Sequence, residues 1–127
     1  MVIDVTTQQN RQIIDITDEV KKNLPDGSGL VNIFVMHTTC AITTADLDPG
    51  TDLDFLDMLK AITPNIKWRH PHNPEHAPSH LLSSIIGPDV NVPFEQGKLQ
   101  LGTWQRIILV ELDGPRTRQI NLAVVNA

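Results

Sequence analysis

Four of the five histidines fall in one stretch, IKWRHPHNPEHAPSH from Ile66 to His80, and the fifth, His37, closes an apolar run. Glu111 directly follows four consecutive aliphatic residues, Ile107 to Val110. Imidazole is the side chain that titrates nearest neutral pH and the commonest metal ligand. His37, His70, His80 and Glu111, with Asp46 near the first, therefore form a set of convergent candidates. Three imidazoles and a carboxylate can hold Zn2+ or a similar divalent ion with one position open to water or substrate. The same groups can instead serve as general acids and bases.

Each candidate also has a plain structural reading. Counting alternate residues from Thr103 puts Gln105, Ile107, Leu109 and Glu111 on one strand face. A carboxylate on an apolar face is costly unless paired, liganded or protonated, so Glu111 is either half of a buried ion pair or a site residue. His37 ends the face of Val31, Ile33 and Val35, where a histidine can be a satisfied core residue. His76 and His80 have the four-residue spacing of a helical metal pair. Pro78, however, suits the first turn of a helix, which leaves His76 before the helix and His80 on it. Donors for an anion are available from Ser79, from the free N–H groups at the start of that helix, and from Arg116 and Arg118. The alternative for the arginines is a solvated edge charge that discourages sheet pairing.

The elements that must position these groups follow from pattern. Val2 to Val5 and Ile13 to Ile16 read as short strands, and Thr17 as the N-cap of a helix bearing Val20 and Leu24 that stops at Pro25-Asp26-Gly27. Leu30 to Thr39 reads as a mostly buried strand, after which Cys40 to Thr44 continues it or turns back. Asp46 to Gly50 has loop chemistry. A helix is expected from Asp52 to Ile62, with Phe55, Leu56, Met58, Leu59 and Ile62 on one broad side, ended by Pro64. The helix carrying His80 runs on to Gly87. Val90 to Phe94 forms a hairpin through Glu95-Gln96-Gly97 with a long strand from Leu99 to Leu112, and Thr117 to Val125 is the last strand. This is a single α+β domain over residues 1–127, with a largely antiparallel sheet and about three short helices.

Composition narrows the function. The formal charge of −5, with ten scattered Lys and Arg, argues against nucleic acid as a partner. No apolar run is long enough to span a bilayer, no membrane partner is expected, and the one cysteine, Cys40, agrees with a reducing compartment, so a cytoplasmic location is expected. Phosphate loops, Gly-x-Ser-x-Gly elbows, HExxH and paired CxxC motifs are absent.

Several blocks in order resemble the YjbQ family, also described as secondary thiamine-phosphate synthases. They are HTTCAIT from His37, the acidic loop with Asp46 and Asp48-Pro49, Arg69-His70, PSHLLSSIIG from Pro78, VPFEQGKLQLGTWQRI from Val92 and ELDGPRTR from Glu111. The resemblance implies a compact α+β domain assembled as a homotrimer, with His37, His70, His80 and Glu111 lining a pocket at or near a subunit boundary. Substrate contacts are expected from Thr38, Thr39, Asp46, Ser79, Trp104, Gln105, Arg116 and Arg118. The activity that the resemblance implies is the weak joining of a pyrimidine pyrophosphate to a thiazole phosphate, beside a primary role that is unknown. Mg2+ would escort the pyrophosphate, whereas the histidines suit a transition metal. Many family members carry Asn-Glu where this chain has Ala45-Asp46, and the histidine loop is richer here, so His72 or His76 can add a ligand. The expectation is a phosphorylated small-molecule substrate. The rivals are a non-enzymatic trimer that binds a metal or phosphometabolite, and a metal-dependent hydrolase.

Overall fold

The computed structural model describes all residues, 1–127. Three layers stack: a five-stranded sheet, a three-stranded sheet, and a pair of helices. The chain runs through β1 (Val2–Thr6), β2 (Gln12–Asp15), α1 (Thr17–Lys21), β3 (Gly29–Val35), β4 (Cys40–Asp46) and α2 (Thr51–Ile62). After a 3-10 turn (Pro74–His76) come α3 (Ala77–Ile86), β5 (Asp89–Glu95), β6 (Lys98–Leu99), β7 (Gln105–Glu111) and β8 (Thr117–Asn126). The larger sheet has the order β1-β8-β3-β5-β6, the smaller β2-β7-β4, and every pairing is antiparallel.

β7 explains why residues 107 to 110 are apolar on both faces. It is the central strand of the middle layer. Leu109, in register with Ile14 and Ile42, packs with Ile107 on Val31, Ile33, Phe94, Ile120 and Leu122 of the larger sheet. Ile108, Val110 and Leu112 lie on the other face with Ala41 and Ile13, under Phe55 and Leu59 of α2 and Leu82 and Ile86 of α3. A strand covered on both sides has no solvent face, so alternation gives way to a continuous apolar run.

Four expectations need correction. The strand from Leu99 to Leu112 is two strands in different sheets, because Gly102 to Trp104 turn the chain. Gln105 N donates to Gly102 O (3.1 Å), and the Gln105 side chain accepts from Gly102 N (3.1 Å). The strand expected to reach Thr39 ends at Val35, since the chain then leaves the larger sheet for β4 in the smaller one. Thr17 is not an N-cap. It is buried at the first position of α1, where its hydroxyl donates to Asp15 Oδ1 (2.6 Å) and accepts from Ile107 N (2.8 Å), tying α1 to β7. α1 is also a single five-residue turn, with Leu24 beyond it.

Candidate anion-binding site

Three times the chain crosses between the sheets at one end of the sandwich. The crossings are residues 7–11 (β1 to β2), 36–39 (β3 to β4) and 112–116 (β7 to β8). Backbone bonds stitch them together: Thr7 N to Arg116 O (2.8 Å), Leu112 N to Thr39 O (3.1 Å) and Met36 N to Gln119 O (3.1 Å). Beneath them lies a buried ion pair. Glu111 is 0% and Arg118 1% exposed. Glu111 Oε2 accepts from Arg118 Nε (2.8 Å) and Thr7 Oγ1 (2.8 Å), while Oε1 accepts from Asp113 N (3.0 Å) and from Arg118 Nη2. Arg118 Nη2 also donates to Thr39 O (3.1 Å) and Thr39 Oγ1 (2.9 Å). Burial alone would raise the Glu111 pKa, but the bonds from Arg118, the Asp113 amide and Thr7 hold it below the ordinary carboxylate range. The Arg118 pKa is raised: burial opposes the charge, and Glu111 outweighs it.

A carboxylate offers about four lone-pair positions, and here all are filled. Glu111 is therefore a structural partner, neither metal ligand nor free base within this chain. Arg118 is only partly consumed. Its bonds run through Nε and Nη2, and no side-chain polar atom sealed from solvent lacks a partner. Nη1 makes no protein hydrogen bond, and Arg118 lies against the neighbouring cleft.

That cleft, about 710 Å3, is walled by Met36, His37, Thr38, Asp113, Arg116 and Thr117, with Thr39 and Arg118 at its base. His37 Nε2 accepts from Gln119 N (2.9 Å), so the neutral ring keeps its proton on Nδ1. Burial first, and then the Arg118 charge, lower the His37 pKa, against a weaker pull from the Gln119 side chain and Glu111. His37 thus stands as a neutral N–H donor whose other nitrogen is occupied, not as an open metal ligand. Arg116 folds back on the turn, Nε to Asp113 O (2.8 Å) and Nη2 to Asp113 Oδ2 (3.1 Å), with its side chain 53% exposed. Each arginine has a carboxylate neighbour, so the cleft offers directed N–H donors with little net charge.

The remaining candidates separate. His70 and His80 stack, ring centroids 4.8 Å apart and planes at 21°. His70 Nδ1 donates to His72 O (2.8 Å), leaving Nε2 free in the neutral ring. His76 Nδ1 lies 3.9 Å from Asp113 Oδ2. No group of three or more His, Cys, Asp or Glu side chains in the chain is placed to hold a metal ion, so the expected set of three histidines does not form within one chain. Ser79 is not an anion donor: its buried hydroxyl donates to Leu112 O (2.9 Å), as Ser83 does to Cys40 O (2.6 Å), and the pair pins α3 to the middle sheet. Asp46, Trp104 and Gln105 line a separate shallow cleft. They sit at the opposite end of β7 from Glu111, about 20 Å away at a strand rise of about 3.3 Å. There Asp46 Oδ1 accepts from Asp48 N (3.0 Å), Gln105 Nε2 donates to Thr44 Oγ1 (3.0 Å), and Trp104 is 72% exposed.

Thr7, Asp113, Thr117 and Gln119 are site residues that the sequence did not single out. Only Asp113 carried a signal, its place between Glu111 and the arginines.

A family model described as UPF0047 protein YjbQ-like matches residues 1–127. The chain belongs to the YjbQ family. A UPF0047 protein of Archaeoglobus fulgidus is 39% identical over 121 residues, covering 94% of this chain and 96% of that protein. UPF0047 protein YugU of Bacillus subtilis is 37% identical over 123 residues, 91% of each. In structure the YjbQ-family chain is similar to a hypothetical protein, APE1520, of Aeropyrum pernix K1. The TM-score is 0.92 and the identity 34%, over 100% of this chain and 98% of that one. A YjbQ/UPF0047 family protein of Clostridium acetobutylicum, an ortholog of YugU, gives 0.88 and 33%, over 98% and 99%. The single α+β domain is thus the family fold. No helix is long and apolar enough to cross a membrane.

Proposed function

We propose that the His37 cleft binds the phosphate group of a small metabolite and that the chain is a thiamine-phosphate synthase-like enzyme of weak activity. The reading is carried by Arg118: a guanidinium 1% exposed, locked by Glu111, whose Nη1 has no protein partner and which lines the cleft. A fixed fork of N–H donors suits a phosphate oxygen. Arg116, the His37 Nδ1–H and the hydroxyls of Thr38 and Thr117 add donors around it. In the synthase reaction the bond from the pyrimidine's methylene carbon to pyrophosphate breaks, and the thiazole nitrogen forms the new C–N bond. The protein's part is to stabilise the leaving pyrophosphate and align the partners. No covalent nucleophile is needed, and Cys40 is no candidate for one: it is buried, with its pKa pushed up to about 12 by burial. Mg2+ enters with the pyrophosphate as part of the substrate.

The active form in this proposal is a homotrimer. Its support is the outer face of the larger sheet, where Val2, Leu30, Phe34 and Val125 are exposed on paired strands, an apolar face of the kind that marks an interface. Light scattering should give three times the 14.1 kDa chain mass.

The test is calorimetric titration with inorganic pyrophosphate beside an assay for thiamine phosphate from the two phosphorylated precursors. Pyrophosphate should bind, Arg116→Ala should weaken it about tenfold, and slow product formation should be inhibited by pyrophosphate. Binding without product would remove the synthase and leave the anion site. No binding would remove both.

A further inference from the structure

A second cleft, about 740 Å3, shares no lining residue with the His37 cleft. The turn after β1 contributes Arg11, α2 contributes Asp57 and Lys60, and the segment between α2 and α3 contributes Ile66, Trp68 and Glu75. Two features bear on what this cleft could hold. None of its four charged side chains enters an ion pair or a side-chain hydrogen bond, so all four are available to a ligand. Arg11 and Trp68 are half-buried, so both are held against the fold rather than extended into water. Glu75 is positioned by Asn73, whose backbone lies in the left-handed region (φ +56°) and whose side chain accepts from Glu75 N (3.3 Å).

Two cations and two anions around an indole give no net charge. A simple anion would gain from Arg11 and Lys60 and lose to Asp57 and Glu75, and a simple cation the reverse. A zwitterion satisfies both pairs. The volume lies within the range of small-molecule sites, and the indole with Ile66 offers an apolar wall on which a flat ring can stack. We propose that this cleft binds a small zwitterion bearing a flat ring, the class of the aromatic α-amino acids. Its carboxylate is held by Arg11 and Lys60, its ammonium by Asp57 and Glu75, and its ring lies against Trp68. The site is independent of the phosphate reading.

The test uses Trp104→Phe protein, in which Trp68 is the sole indole, and follows its emission during titration with L-phenylalanine. L-phenylalaninamide, which lacks the carboxylate, and 3-phenylpropionate, which lacks the ammonium, are titrated in parallel. A saturable response to L-phenylalanine, at least about tenfold tighter than to either analogue, is expected. Arg11→Ala should abolish the preference over the amide, and Glu75→Gln the preference over phenylpropionate, with thermal unfolding unchanged. No saturable response to L-phenylalanine would overturn the proposal. Equal responses to all three would overturn it as well, since a plain apolar groove gives that result.

Discussion

Glu111→Gln removes one charge from the buried pair while keeping the shape of the side chain. In the native protein Glu111 takes four hydrogen bonds and Arg118 is 1% exposed, so water cannot replace the lost charge. Arg118 would keep Thr39 as a partner but lose its counter-ion. Breaking a buried pair on one side costs about 3–5 kcal/mol. For a domain of this size about 1 kcal/mol corresponds to about 3–5 °C, so the melting temperature should fall by about 10–20 °C. Urea denaturation of five proteins measures the loss: wild type, Glu111→Gln, Glu111→Leu, Arg118→Met and the double variant Glu111→Leu/Arg118→Met. The double variant should recover much of the loss, because an apolar pair needs no counter-charge, and the cycle then yields a coupling of several kcal/mol. A loss under about 1 kcal/mol in Glu111→Gln, with pyrophosphate binding abolished, would refute the argument. It would make Glu111 a functional carboxylate.

Three further outcomes follow from the same geometry. Stability should fall with acid in two stages. His37, whose pKa is lowered in the fold, contributes stability above the ordinary histidine value of 6.5 that is lost as pH falls through its folded value, and Glu111 and Asp15 repeat this below their ordinary values of 4.5 and 3.8. Unfolding followed against pH should show both stages, and His37→Asn should lack the first. Thr17→Val strands the Ile107 amide in the core and should cost about 1–3 kcal/mol by chemical denaturation. Gly114→Ala should also destabilise, by about 1–3 kcal/mol, because its Cβ would lie 2.3 Å from Gln9 O and 2.9 Å from Glu111 Cγ. A crystal structure of that variant should show the crossing at residues 112–116 displaced.

Periodicity made the helices and most strands legible, since α2, α3 and β8 each keep one apolar stripe or face over their length. It did not reveal which sheet a strand joins. Leu99 and Leu101 continue the alternation into Thr103 and Gln105, and nothing in that pattern marks the turn that Gln105 itself closes. The site was legible as residue types but not as partners. Glu111 and Arg118 stand seven residues apart across a crossing, and Thr7, which completes the carboxylate's shell, is 104 residues away. His37 reads as a ligand while its surroundings are unknown. The Gln119 amide, 82 residues on, decides which nitrogen is free. Ser79 and Gln105 carry family motifs but spend their polar atoms on the fold. Motif blocks of this kind mark what the architecture needs as well as what a substrate touches.

In the proposed reading, one guanidinium joins stability to recognition. Along its Nε and Nη2 edge Arg118 answers Glu111 and Thr39, and so binds together crossings that are neighbours only in the folded chain. The Nη1 group is left outside that network, beside the cleft, with its direction already set. A lysine could not divide the work, because an ammonium on a flexible stem has no second, fixed edge. Pre-setting the donor removes the ordering cost that a mobile side chain would meet on binding. The carboxylate that fixes it also cancels its charge, so an anion bound as proposed would be recognised by direction and drawn only weakly from solution. That balance accords with a site of modest affinity whose occupant must be held and then released.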